Sequence, residues 1–147
     1  MYNMLKHAHS GIRWILLILL IYAVFNAYTK WKGNNAYQEK DRKLNLFTFI
    51  ATHVQLLLGL GLYFISPKVQ FTGEVMKNAV GRFYTVEHLS LMLIAVILIT
   101  VGNIKSKKMA EDGRKFKTVF TYFAIALLLI LISIPWPFRA ALGGSWF

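Results

Sequence analysis

The chain has 147 residues, of which 56% are hydrophobic and only 16% charged; soluble domains carry about a quarter charged residues, spread over the chain, so an ordinary soluble domain is excluded. It has no cysteine, which removes disulfides, iron–sulfur clusters and thiolate metal sites. The net charge of +11 sits beside apolar runs, where it suits anionic lipid headgroups rather than nucleic acid.

Residues 14–29, 44–67, 88–104 and 118–138 contain no charged side chain. A helix crossing the hydrocarbon core needs about 20 apolar residues, so the first and third runs need their flanks, 10–13 and 82–87, as helix starts. All four are too apolar around the helix to lie on a surface. The first predicted helix covers 4–30. Tyr28, Lys30, Trp31 and Lys32 follow its apolar run where a cleavable leader would need a small-residue site, so this helix is expected to be retained. Gly33, Asn34 and Asn35 then turn the chain. The second helix is predicted over 41–65, stopping at Ser66-Pro67. A loop containing Gly73 leads to the third, 81–105. Asp112-Gly113 precedes the fourth, 115–134, which Pro135 and Pro137 break. Trp136, Trp146 and Phe147 read as an aromatic belt along the membrane surface.

The fold expected is all-α: a single-domain, integral membrane four-helix bundle over 1–147, running up-down-up-down. Eleven of the 17 lysines and arginines fall in the first and third connections: Lys30, Lys32, Lys40, Arg42, Lys43, Lys105, Lys107, Lys108, Arg114, Lys115 and Lys117. Positive loops stay inside, which makes those connections cytoplasmic and puts both ends of the bundle chain outside. The location expected is the cytoplasmic membrane, crossed several times.

Two helix faces carry small and polar residues at helical spacing: Thr48, Thr52, Gln55 and Gly59 in the second helix, and Thr85, His88, Met92, Ala95, Ile99 and Gly102 in the third. Such stripes mark helix contacts in membrane bundles. Gly59 and Ala95 also leave room at the bundle centre for a flat cofactor.

Histidines His9, His53 and His88 lie within the helices, and ionisable groups at membrane depth tend to be functional or internally paired. At ~1.5 Å rise per residue from the cytoplasmic ends, His9 lies ~31 Å up, His88 ~25 Å and His53 ~15 Å. His9 and His88 are therefore nearly level. Imidazoles on facing helices can clamp a haem iron from both sides. Arg13, one turn after His9, and Arg82 are placed to neutralise propionates. Ser10 or Glu87 could orient a ligating ring through its other nitrogen. Met92 is a weaker candidate ligand for iron or copper, or simply packing. Arg13 and Glu87 also suit a plain interfacial ion pair. His53 is the alternative haem ligand. Otherwise it is expected to line the cavity beside Gln55 or Thr52, as a quinone or proton group. His7 points away and reads as solvated.

His9-Ser-Gly-Ile-Arg-Trp14, His53-Val-Gln55, Val86-Glu-His88, Pro67-Lys-Val-Gln70 and Ile134-Pro-Trp-Pro-Phe138 resemble a family of short bacterial four-helix membrane proteins labelled cytochrome b or cytochrome b-like. The resemblance implies a membrane haem b protein, with His9, His53 and His88 as candidate ligands. More remotely the chain looks like four-helix haem proteins that oxidise porphyrinogens or move electrons to quinones. With no histidine in the fourth helix, two bis-histidine haems in one chain are not possible. No P-loop, GxGxxG or Ser–His–Asp pattern and no internal repeat is present. The leading expectation is electron transfer with a quinone. The alternatives are a non-catalytic accessory or assembly subunit of a larger respiratory or other membrane complex, or a homo-oligomer of this chain. A small transporter or channel is the third, against which stands the lack of an inverted repeat or broken mid-membrane helix.

Overall fold

The computed structural model describes residues 1–147. Four long helices account for most of the chain: α1 (Tyr2–Lys32), α2 (Glu39–Ile65), α3 (Ala79–Lys108) and α4 (Asp112–Ser133). There is no strand. Each of the four is long and apolar enough to cross a membrane, and even α4, with 22 residues, spans ~33 Å at the helical rise. The protein is a multi-pass membrane protein by these measures.

The helix ends follow from local chemistry. α1 begins before the expected residue 4 and runs on to Lys32, since nothing in its polar flanks breaks a helix. α2 opens with a capping box in which the Gln38 and Asp41 side chains each accept from the other's backbone N–H. Ile65 ends it, as Pro67 disfavours helical backbone at Ser66, whose ψ is 131°. Asn78 caps α3 two residues earlier than expected, its side chain accepting from Val80 N and Gly81 N. Within α3, Phe83–Glu87 winds as a π-helical turn directly before His88. α4 starts at Asp112, where the sequence suggested 115, and stops one residue short of Ile134, which precedes Pro135 and has ψ 129°.

Neighbouring helices run antiparallel, and α1 and α3 lie diagonally: each packs on α2 and α4. The exterior is apolar, with Ile15, Ile18, Phe25, Leu57, Ile97, Leu128 and Ile132 exposed, whereas Ser10, Asn45, Thr48, Thr52, Asn103, Ser106 and Ser133 are buried. An apolar outside around a partly polar inside is the arrangement that lipid solvent favours. At the loop 33–38 end, Asp41 is 2% exposed; it accepts from Lys30 Nζ at 2.6 Å and Asn26 Nδ2 at 2.9 Å. The centre is filled by Leu20, Ala23, Ile99, Phe116, Val119 and Phe123. Part of the small-residue reading is met here, because a Cβ on Gly102 would lie 2.6 Å from Tyr122 Cβ: α3 and α4 touch through that glycine. The other half of the bundle is not filled.

Candidate functional site

That half encloses a cavity of about 180 Å³, lined among others by His9 and Arg13 of α1, Gln55 and Gly59 of α2, and His88 and Met92 of α3. The imidazoles that the helical rise puts at one level meet there, with ring centroids 6.4 Å apart and planes at 73°. Gly59 is what admits His9: an added Cβ would stand 3.2 Å from His9 Cε1.

His88 is oriented by α4. A helical carbonyl normally accepts from the N–H four residues on, but Pro135 and Pro137 have none. Pro135 also ends α4 at Ser133, so the Leu131 and Ser133 carbonyls of its last turn have no intrahelical donor. Trp136 Nε1 donates to the first at 2.8 Å, and His88 Nδ1 donates to the second at 2.9 Å. With its proton on Nδ1, His88 keeps the Nε2 lone pair free for a ligand. His9 is held differently. The Gln55 amide nitrogen donates to the His9 carbonyl at 3.0 Å and approaches His9 Nε2 at 3.2 Å. The carbonyl contact fixes which way the amide faces, so Nε2 is the acceptor and Nδ1 carries the proton.

Buried polar atoms are normally paired. Four side-chain atoms in this chain are not: His9 Nδ1, Arg13 Nε, Gln55 Oε1 and Ser133 Oγ. Three belong to residues that line the cavity, and the fourth belongs to the residue whose carbonyl holds His88. The unmet polar capacity of the protein is concentrated at one place.

The other sequence candidates divide. Met92 lies on the cavity wall one turn beyond His88. Arg82 is outside it, donating to Glu87 Oε1 at 2.7 Å and to the Met76 carbonyl at 3.2 Å. Glu87 is thus the partner of Arg82, neither of Arg13 nor of an imidazole. Arg13 instead donates to the Trp146 carbonyl. His53 does not line the cavity, although Thr52 and Gln55 do. A helix turns ~100° per residue, which carries the residue after Thr52 off its face. His53 Nδ1 donates to the Phe49 carbonyl at 2.8 Å, and Thr100 Oγ1 stands 3.5 Å from Nε2. It is not brought to His88.

Sequence reasoning missed the Ser133 carbonyl, for which the Pro135 and Pro137 spacing was a usable signal. It also missed Lys68, Tyr84 and the segment after α4. Trp146 folds back onto α1: its ring lies against Trp14 with centroids 6.0 Å apart, and its carbonyl also accepts from Trp14 Nε1 at 3.2 Å.

Comparison with protein-family models, curated proteins and solved structures returns no match. No group of three or more His, Asp or Glu side chains is placed to hold a metal ion, which leaves the two-imidazole arrangement as the one to test against haem. Two metal–imidazole bonds of ~2.0 Å, with a ring radius added on each side, put ring centroids ~6 Å apart. The observed 6.4 Å matches that centroid spacing, and His88 Nε2 is free. His9 fits in position, and its ligation requires the Gln55 amide to release Nε2.

Proposed function

We propose that this protein is a b-type haem protein of a bacterial inner membrane, exchanging electrons with a quinone, and that His9 and His88 would hold the haem iron. The observation that carries the reading is the pair of imidazoles 6.4 Å apart, contributed by diagonal helices, at the edge of a cavity. The resemblance of His9-Ser-Gly-Ile-Arg-Trp14 and Val86-Glu-His88 to cytochrome b-like proteins agrees with it.

In this reading the bound haem supplies a one-electron couple, and the protein sets its surroundings. The Ser133 carbonyl fixes the His88 tautomer and raises the basicity of Nε2. Gln55 holds His9 through its backbone carbonyl, and its amide would have to release the ring nitrogen for His9 to hold the iron. Arg13 puts a cation beside the site, favouring an acidic cofactor edge. Leu16, Leu60 and Val96 make much of the wall apolar, which lowers the local dielectric and strengthens those charge contacts. Connections 31–43 and 105–117 face the cytoplasm, because these segments with Lys30 hold eleven of the 17 lysines and arginines, and the cavity opens toward the opposite side.

Protein purified in detergent from haem-supplemented cells should carry about one haem per chain, with a Soret band that moves on reduction. Colourless protein with full helical content would overturn the reading and favour the accessory-subunit alternative.

A further inference from the structure

At the cavity mouth, donors from three elements converge on the segment that follows α4. Arg13 Nη2 donates to the Trp146 carbonyl. Lys68 Nζ donates to the Gly143 carbonyl at 3.1 Å and to the Tyr84 hydroxyl at 3.3 Å. The Tyr84 hydroxyl donates in turn to the Leu142 carbonyl at 3.0 Å. Arg13, Lys68 and Tyr84 all line the cavity. Every ion pair of the chain lies elsewhere, with Lys30, Arg42, Lys77, Arg82 and Arg114 as the cations. Arg13 and Lys68 therefore hold two positive charges at the mouth of a largely apolar cavity, answered only by neutral groups: backbone carbonyls, the Tyr84 hydroxyl and the Trp14 and Tyr84 rings. Arg13 is 9% exposed and its Nε has no partner. Charge-assisted hydrogen bonds to an anion are roughly twice as strong as those to neutral acceptors, so an acid group would compete well for these donors.

The covering segment is seated by glycine rather than by deep apolar burial. Gly143 has φ +61°, in the left-handed region. A Cβ on Gly144 would stand 2.2 Å from the Pro135 carbonyl oxygen and 2.4 Å from that of Trp136, so only glycine permits this approach. Of residues 142–146, Leu142 alone is buried.

From this we infer that Arg13, Lys68 and Tyr84 form a subsite for a carboxylate carried on an apolar body, and that segment 142–146 is its cover. The cover's carbonyls occupy the donors until such a ligand displaces them. The subsite uses the same cavity as the haem reading and deepens it, but it does not depend on iron ligation. The acid could be a tetrapyrrole propionate or a fatty acid headgroup; both present one carboxylate chemistry to the same donors.

Binding of metal-free protoporphyrin IX and of its dimethyl ester to the full chain in detergent, followed by fluorescence, tests the subsite. The free acid should bind at least ~10-fold more tightly than the ester, the worth of a hydrogen bond to a charged group. Lys68→Met, at the rim, should shrink that preference, and Arg13→Gln should shrink it further. Gly144→Val, which unseats the cover, should tighten binding of the acid. Displacement of the porphyrin by palmitate but not by methyl palmitate would identify a fatty acid as an occupant; porphyrin binding that palmitate leaves untouched would identify the tetrapyrrole. Equal affinity for acid and ester in wild type and Gly144→Val, or a preference that survives Lys68→Met with Arg13→Gln, overturns the subsite. A clear acid preference in a protein that never shows a haem spectrum would keep the subsite and remove the haem reading.

Discussion

Within the bundle, one residue's depth and its direction are separate quantities. The helical rise fixes depth, and it was enough to put His9 and His88 at one level, where their rings lie 6.4 Å apart. Direction changes by ~100° per residue, and on that count His53 was misread: it turns away from Thr52 and Gln55 toward Phe49 and Thr100. An imidazole hydrogen-bonded at Nδ1 to its own helix satisfies the polar cost that suggested a cofactor role. His53→Ala should therefore leave the haem spectrum unchanged, and a loss of haem on that substitution, read from the purified variant, would contradict the placement. Ser133 gives a second residue-scale test. Its hydroxyl is buried without a partner while its carbonyl holds His88. Ser133→Ala removes only the hydroxyl, so thermal melting should stay level or rise by the equivalent of ~1 kcal/mol, with the spectrum intact. A clear drop in melting temperature would mean that the hydroxyl is satisfied.

Helix limits were largely legible because they rest on short-range chemistry: proline after α2 and α4, asparagine and glycine in the turns. The π-helical turn at Phe83–Glu87 was not, since no local residue pattern demands it and it sets the helical phase of the segment before His88. Also invisible was the fold-back after α4, because Arg13 and Trp146 are 133 positions apart and an aromatic residue near a membrane surface is an equally good general expectation. The proline pair links both levels. Pro135 ends α4 at Ser133, and Pro137 withholds a donor four residues on, so that carbonyl is left to His88. Pro135→Ala with Pro137→Ala lets the helix run on and restores that donor. It should weaken haem retention by ~10-fold or more, the usual consequence of losing an outer-shell partner, measured by haem transfer to a scavenging apoprotein. Unchanged retention would show that the free carbonyl is not what orients His88. On α3, Gly102→Leu should destabilise the bundle by ~1–3 kcal/mol through overpacking, since even a Cβ there meets Tyr122 at 2.6 Å.

At the scale of the whole molecule, the histidine-lined cavity occupies one end of the bundle, and a smaller-walled pocket lies beside Asn26, Lys30 and Asp41 at the other. Asp41, Lys30 and Asn26 tie the loop 33–38 end together, and the aromatic and alanine core fills the middle. The unsatisfied polar atoms gather around the histidine-lined cavity. That division was only half legible in sequence. Gly59 and Ala95 announced missing bulk, yet whether it served helix contact or a cavity depended on which helices lie diagonally, a property of the assembled bundle. Membrane crossing itself follows from composition and from the apolar exterior. The most direct test of the central claim is the reduced-minus-oxidised absorption spectrum of detergent-purified wild type, His9→Ala and His88→Ala. Wild type should give a sharp low-spin b-type difference spectrum, and each variant should lose haem or turn high-spin. A wild-type low-spin spectrum that both alanine variants retain would contradict the assignment of the site to His9 and His88.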